Sequence, residues 1–201
     1  SWSCFRGASR CAAGDGGIPH AFARADGAAD ADDQDAAGDE QFAAGGAERA
    51  APARPMVEEI FTDLASLAEK RSITLEAEGD AALTGSDALI YRLLFNLTEN
   101  AVKYNRPGGS VRVELAQGQE KCIIRVSDTG CGIPEEYQRS IFHPFFRVDK
   151  SRSREYGGAG LGLSLVWEIA NLHGGSVWVE ESSDKGTTIA VGLPTQQSTK
   201  P

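Results

Sequence analysis

Residues 86–104 read SDALIYRLLFNLTENAVKY, and the fold follows from how this stretch divides its faces. At about 100° per residue, Ile90, Leu93, Leu94, Leu97 and Ala101 form one apolar stripe, which predicts a helix packed on a sheet. Asn96, Asn100 and Lys103 fall together on a neighbouring stripe at the border of that face. A border position holds a side chain firmly while leaving it open to a cleft. Ser86 is placed to cap the helix, and Asn105 with Pro107-Gly108-Gly109 to end it. An amide oxygen is a hard neutral donor suited to Mg²⁺, and a lysine one turn on meets phosphate as a point cation. Taken alone, the stripe fits a plain surface helix equally well.

Working outward, MVEEIFTDLASLAEK (56–70) spaces Val57, Ile60, Leu64, Leu67 and Ala68 as a second amphipathic helix. ITLEAEG and ALTG read as short strands around Gly79-Asp80. VRVELAQ and KCIIRVSD read as a hairpin around Gly118-Gln119, and SVWVEES and TTIAVGLP as a final antiparallel pair. A Gly-rich stretch from about 129 to 159, with a short helix near 135–141, precedes a helix over about 160–172. The order predicts an α/β (α+β) two-layer sandwich: a mixed, mainly antiparallel sheet of five to six strands with three helices on one face. A loop of some 30 residues in such a domain is a functional lid rather than idle structure.

Residues 1–55 differ in texture. They hold 17 alanines and 8 glycines but a single residue from the Ile/Leu/Val set, Ile18. Seven acidic residues and no basic one lie between Asp26 and Glu40. Such a segment buries too little apolar surface to offset its ordering entropy and is expected to lack a fold. Its bias suits an out-of-frame reading of a GC-rich gene or an unrelated fusion. The folded domain is accordingly expected over 56–201.

The net charge of -9 argues against a basic surface for nucleic acid and against docking on anionic lipid. Nothing approaches 18 consecutive apolar residues, and the amino terminus lacks a signal-peptide core. Cys4, Cys11, Cys122 and Cys131 show no zinc-knuckle spacing and read as reduced thiols of a cytoplasmic chain, although a longer parent protein is open to membrane anchoring.

Two glycine segments carry the rest of the chemistry. Asp128-Thr129-Gly130-Cys131-Gly132-Ile133-Pro134 follows a strand, so its carboxylate can accept from an exocyclic amino group while the glycines let backbone approach a flat base. Gly157-Gly158-Ala159-Gly160-Leu161-Gly162-Leu163 runs into a helix whose amides and dipole favour an anion. It is neither a Walker A loop nor a dinucleotide fingerprint.

NLTENAVKY, DTGCGIP, FHPFFRVD, GGAGLGL and KGTT occur in that order, and the set resembles the N, G1, F, G2 and G3 boxes of the two-component sensor histidine kinase ATP-binding domain, of the Bergerat-type ATPase fold. The resemblance covers about 57–195. PFFRVDKSRS and NLHGGSVWVEES resemble histidine kinases in particular rather than topoisomerases, mismatch-repair ATPases or heat-shock chaperones. It implies that Asn100 coordinates Mg²⁺ with Asn96 in support, and that Lys103 and Tyr104 contact phosphates and nucleotide. It further implies that Asp128 reads the adenine amino group in a pocket shaped by Gly130, Gly132 and Thr187. Arg147 would approach the γ-phosphate, and Phe142, Phe145 and Phe146 would anchor the lid. Gly158, Gly160, Leu161, Gly162 and Leu163 would bring lid backbone to the phosphates. Phe146, His143 and Ala159 depart from the tyrosine, acidic and hydroxyl residues common in the family.

The implied cofactors are ATP and Mg²⁺; the implied partners are a phosphoacceptor histidine domain, supplied in trans or by a full-length parent, and a response regulator. His20, His143 and His173 all lie outside any acceptor pattern, so the acceptor is expected elsewhere. A non-catalytic nucleotide-binding interaction or regulatory module is the alternative, and a serine-directed kinase a more distant one.

Overall fold

The apolar spacing of 56–70 winds into helix α1 (Ala53–Lys70) in the computed structural model, which describes residues 50–148 and 160–195. The remaining elements are β1 (Ala50–Pro52), β2 (Thr74–Asp80), β3 (Ala82–Thr84), α2 (Asp87–Lys103), β4 (Ser110–Gln117), β5 (Lys121–Asp128), α3 (Gly162–Leu172), β6 (Ser176–Ser183) and β7 (Gly186–Pro194). Two 3₁₀ turns, Glu135–Tyr137 and Ser140–Phe142, stand where a short helix was expected. Pro134 precedes them and Pro144 follows, and the residue before Pro144, His143, is extended, which ends helical pairing there.

The main sheet has strand order β2-β4-β5-β7-β6. Only β2 and β4 are parallel, with Leu75 beside Val111 and Ala77 beside Val113; the other pairs are antiparallel. Helix α2 forms the crossover between the parallel pair, as a parallel connection requires. The five-stranded mixed sheet and its three helices match the two-layer arrangement read from the sequence.

Alternation decides which face is covered. Val111, Val113 and Leu115 on β4, and Cys122, Ile124 and Val126 on β5, are buried beneath the helices. Ile90, Leu93, Leu94 and Leu97 of α2 are at most 2% exposed and meet Val57, Ile60 and Leu64 of α1 in the same cluster. Each such side chain contributes about 1.5–3 kcal/mol by leaving water. The outer face is polar: Arg112 pairs with Glu76 at 3.1 Å, and Arg125 with Glu180 at 2.6 Å.

Two sequence expectations need correction. Positions 50–55, inside the segment 1–55, form β1 and the first turn of α1; residues before 50 lie outside the described residues. Composition missed this because β1 is held by backbone pairing to β3 and because Ala53, fully buried, donates its N–H to Ala81 O at 2.8 Å. Ser86 does occupy the cap position of α2, but its side chain makes no cap hydrogen bond. Its N–H donates instead to His173 Nε2 at 3.4 Å, while His173 Nδ1 lies 2.8 Å from Ile169 O.

Leu93→Ala is expected to cost about 2–5 kcal/mol, read as a lowered urea midpoint at unchanged slope. Burial, with Asp80 nearby, pushes the Cys122 thiol up to about 11 from an ordinary value of 9.0. Between those values the folded state keeps a proton that the unfolded state releases, so stability falls as pH rises. Unfolding midpoints measured from pH 8 to 11 should therefore drop more steeply in the parent than in Cys122→Ala.

Candidate functional site

The border stripe of α2 is real and faces the start of α3. Asn96 and Asn100 are half-buried, and Asn96 Nδ2 donates to Arg92 O at 2.6 Å, which fixes its oxygen outward from the helix. Gly162, the first residue of α3, sits against them. A Cβ there would stand 3.1 Å from Asn96 Oδ1 and 3.3 Å from Asn100 Nδ2. Only a glycine lets backbone come this near the two amides without displacing them. Lys103 pairs with Glu99 at 2.9 Å, both partly exposed. A partly exposed helical pair of this kind is worth under about 1 kcal/mol, so the ammonium is readily redirected to a stronger anion.

The second half of the site lies where β5 meets the β6–β7 turn. Asp128 and Thr187 are cross-strand partners. The Asp128 carboxylate accepts from Gly130 N–H at 2.7 Å, and the amide dipole of Thr187 on the paired strand acts on it as well. Burial raises its pKa above the usual carboxylate range, opposed by those two amides and by the positive charge of Arg106. Thr187 is buried and its hydroxyl lies 3.1 Å from Ser182 Oγ. Gly132, at φ +73, presses on the turn: a Cβ would fall 1.9 Å from Ser183 O. The loop 128–133 and the hairpin thus share one wall, closed further by Ile133 N–H donating to Ser182 Oγ at 2.7 Å.

The phenylalanine segment starts in the second 3₁₀ turn. Phe146 packs on Tyr137 with ring centroids 5.8 Å apart, and Phe142 joins the edge of the core. Phe145 is different: its ring is 72% exposed, and it holds Gly160 through its backbone, N–H to O at 3.0 Å. Its anchoring is by main chain, not by the aromatic ring. Arg147 is half-buried at the end of this segment. Tyr104 and Leu161 are exposed, whereas Leu163 is half-buried. Gly158 lies outside the described residues, with Gly157 and Ala159.

The donor set suits a phosphate-bound cation. Among the described residues no three His, Cys, Asp or Glu side chains converge as a metal cage. Mg²⁺ prefers one or two protein oxygens with water and substrate phosphates filling its shell, which a pair of asparagine amides beside an uncluttered helix start can accommodate. A groove of about 540 Å³ lined in part by Phe142, Pro144, Trp167 and Trp178 shares Phe142 with the phenylalanine segment but includes none of Asn96, Asn100, Lys103, Asp128 or Thr187. His173 is buried with both ring nitrogens engaged and His143 is exposed on a loop; His20 lies outside the described residues.

Sequence reasoning passed over the polar knot at the end of α2. Asn105, taken only as a helix stop, is buried; its Nδ2 donates to Ser110 O at 2.9 Å and its Oδ1 accepts from Thr129 Oγ1 at 3.0 Å. Arg71 donates to Lys103 O and, at 2.8 Å, to Asn105 O. The signal was a cluster of turn formers, which reports a break in the helix but not what its side chains bridge.

Comparison with known proteins bears on the family and the fold. Residues 85–197 match the pattern of the histidine kinase-, DNA gyrase B- and HSP90-like ATPases. The sensor histidine kinase RppB of Synechocystis is 37% identical over 142 residues, 69% of this chain but 31% of RppB. The chain therefore spans about a third of that relative. The mycobacterial sensor histidine kinase MprB superposes with a TM-score of 0.63 at 26% identity, over 75% of this chain and 99% of that one. The histidine kinase ThkA, solved with the response regulator protein TrrA, shares the fold with a TM-score of 0.60 at 23% identity, over 73% of this chain and 41% of that one.

Gly132→Ala and Gly108→Ala make a matched test of the wall. Both positions have positive φ, but a Cβ at Gly108 meets nothing within 4 Å. Gly108→Ala should cost about 1–2 kcal/mol from backbone strain alone. Gly132→Ala should cost clearly more in the same urea titration, because Ser183 O must also move.

Proposed function

The chain belongs to the histidine kinase-, DNA gyrase B- and HSP90-like ATPase family, as an ATP-binding catalytic domain of the histidine kinase type, and from this premise we propose that it transfers the γ-phosphoryl group of Mg-ATP to a histidine on a separate phosphoacceptor domain. The observation that carries the reading is the meeting of the two asparagine amides with the start of α3, beside which stands the cross-strand pairing of Asp128 with buried Thr187 at the end of β5.

In this reading adenine lies against the loop 128–133, with Asp128 accepting from its amino group and Thr187 closing the pocket. The triphosphate runs along the α2 border toward the first turn of α3, where free amides and the helix dipole favour negative charge. Asn100 supplies an amide oxygen to Mg²⁺, with Asn96 holding the opposite flank of Gly162. Lys103 leaves Glu99 for a phosphate oxygen, Tyr104 borders the nucleotide, and Arg147 stabilises charge at the γ-phosphate. Bound Mg²⁺ neutralises charge on the phosphate oxygens during transfer. The protein's part is positioning and electrostatic stabilisation, since phosphoryl transfer asks little covalent work of it.

The acceptor must come from another domain or chain, in trans or within a longer parent, and an aspartate on a response regulator would take the phosphoryl group onward. ThkA with TrrA is a precedent for such a partnership among proteins of this fold. The acidic chain offers no basic footprint for nucleic acid. Among the described residues no helix is long and apolar enough to cross a membrane.

Incubating the chain with an isolated acceptor hairpin and labelled Mg-ATP is expected to yield acid-labile phosphate on the hairpin; acid-stable label, or none, would overturn the transfer step. Asn100→Ala is expected to lose Mg²⁺-dependent ATP binding in calorimetry at an unchanged unfolding midpoint, because its side chain lies at the border of the core. Asp128→Ala should weaken ATP far more than inorganic triphosphate.

A further inference from the structure

Arg106 follows the helix-ending asparagine, and its guanidinium does three things at once. It donates to Thr129 O, to Gly130 O at 2.9 Å and to Asp184 O at 3.1 Å. The first two carbonyls belong to the loop after β5; the third belongs to the turn between β6 and β7. Its own N–H donates to Asn105 Oδ1 at 2.9 Å, which joins the fork to the buried knot at the end of α2. Three carbonyl oxygens facing one point repel one another unless a cation with several donors stands among them. A planar guanidinium with five N–H groups meets that need, and an ammonium does so only in part.

The consequence reaches Asp128. Its carboxylate accepts from Gly130 on the loop at 2.7 Å, while Asp128 itself is the cross-strand partner of Thr187, whose amide dipole also acts on the carboxylate. Arg106 grips the carbonyl of Gly130 and, through Asp184, the same hairpin that carries Thr187. The distance between the two amides, and so the direction of the carboxylate, depends on that grip.

We infer that Arg106 is a positioning residue for adenine: it latches the loop 128–133 to the β6–β7 turn and thereby aims the Asp128 carboxylate at the base. The inference rests on the reading of Asp128 and Thr187 as the adenine pocket and adds a determinant of base selectivity outside it. Arg106 touches neither the phosphate path along α2 nor the start of α3, so its effect is confined to the base end of the nucleotide.

Calorimetry of the whole chain with Mg-ATP and with magnesium tripolyphosphate tests it, in the parent, Arg106→Ala and Arg106→Lys. Arg106→Ala is expected to weaken ATP by about tenfold while tripolyphosphate stays within about twofold of the parent. Arg106→Lys keeps the charge without the fork, and should stay short of the parent for ATP with tripolyphosphate again unchanged. If Arg106→Ala fails to fold, the lysine variant decides alone. Equal ATP affinity in parent and folded variants, equal loss of both ligands, or full recovery by lysine would each overturn the role of Arg106. A parent that binds ATP no better than tripolyphosphate would instead overturn the adenine reading on which it rests.

Discussion

The structure depends on helix α2 being clamped by its core while offering two amides at its rim. Leu93, Leu94 and Leu97 leave no freedom to slide or rotate, since they are enclosed between the sheet, α1 and α3. A rotation that moved Asn96 or Asn100 by one side-chain width would pull a leucine out of the cluster at a cost of a few kcal/mol. Rigidity at the site is therefore inherited from packing, and does not need a hydrogen-bond network around the amides themselves. That arrangement leaves their outward oxygens uncommitted.

The opposite end of the site follows another rule. Loop 128–133 has little apolar surface to bury, and its position is set by close backbone contact with the β6–β7 turn. Missing side chains at Gly132 and Gly186 create that contact: a Cβ at Gly186 would stand 1.9 Å from Asp128 O. A wall built of main chain presents flat, weakly protruding surface and N–H groups at fixed spacing, which suits a planar heterocycle. The price is that such a wall is held by polar bonds, each worth only about 0.5–1.5 kcal/mol net. Tight leucines thus support the phosphate end, and a web of modest hydrogen bonds supports the base end.

Much of this was legible in the residues. The stripe of α2, the β4–β5 hairpin and the closing β6–β7 pair carry local periodicity and turn residues that need no tertiary information. Asn96, Asn100 and Asp128 were visible as candidates from their positions and Thr187 through the family resemblance; the fold brings Asn96 and Asn100 together at Gly162 and pairs Asp128 with Thr187. What was not legible depends on partners distant in sequence. The parallel pairing of β2 with β4 joins Leu75 to Val111, and β1 at Ala50–Pro52 rests on backbone bonds to residues some 30 positions on. Ser86 looks like a cap by type, yet its role is set by His173, 87 residues away. The resemblance implies an anchoring ring at Phe145, but the residue is exposed, with its backbone at φ 63 and its N–H bonded to Gly160 O.

The short β1–β3 ribbon has a mechanical meaning. Ala50 lies across from Thr84, and Thr84 Oγ1 donates to Thr195 O at 3.0 Å, so the points where the chain enters and leaves the folded part sit side by side. A pull on Ala50 would load a three-residue ladder, whereas a pull on Thr195 would load β7, which is paired on both sides by β5 and β6. The two ends of the described fold are thus tied unequally, one by a three-residue ribbon and the other by a strand inside the main sheet.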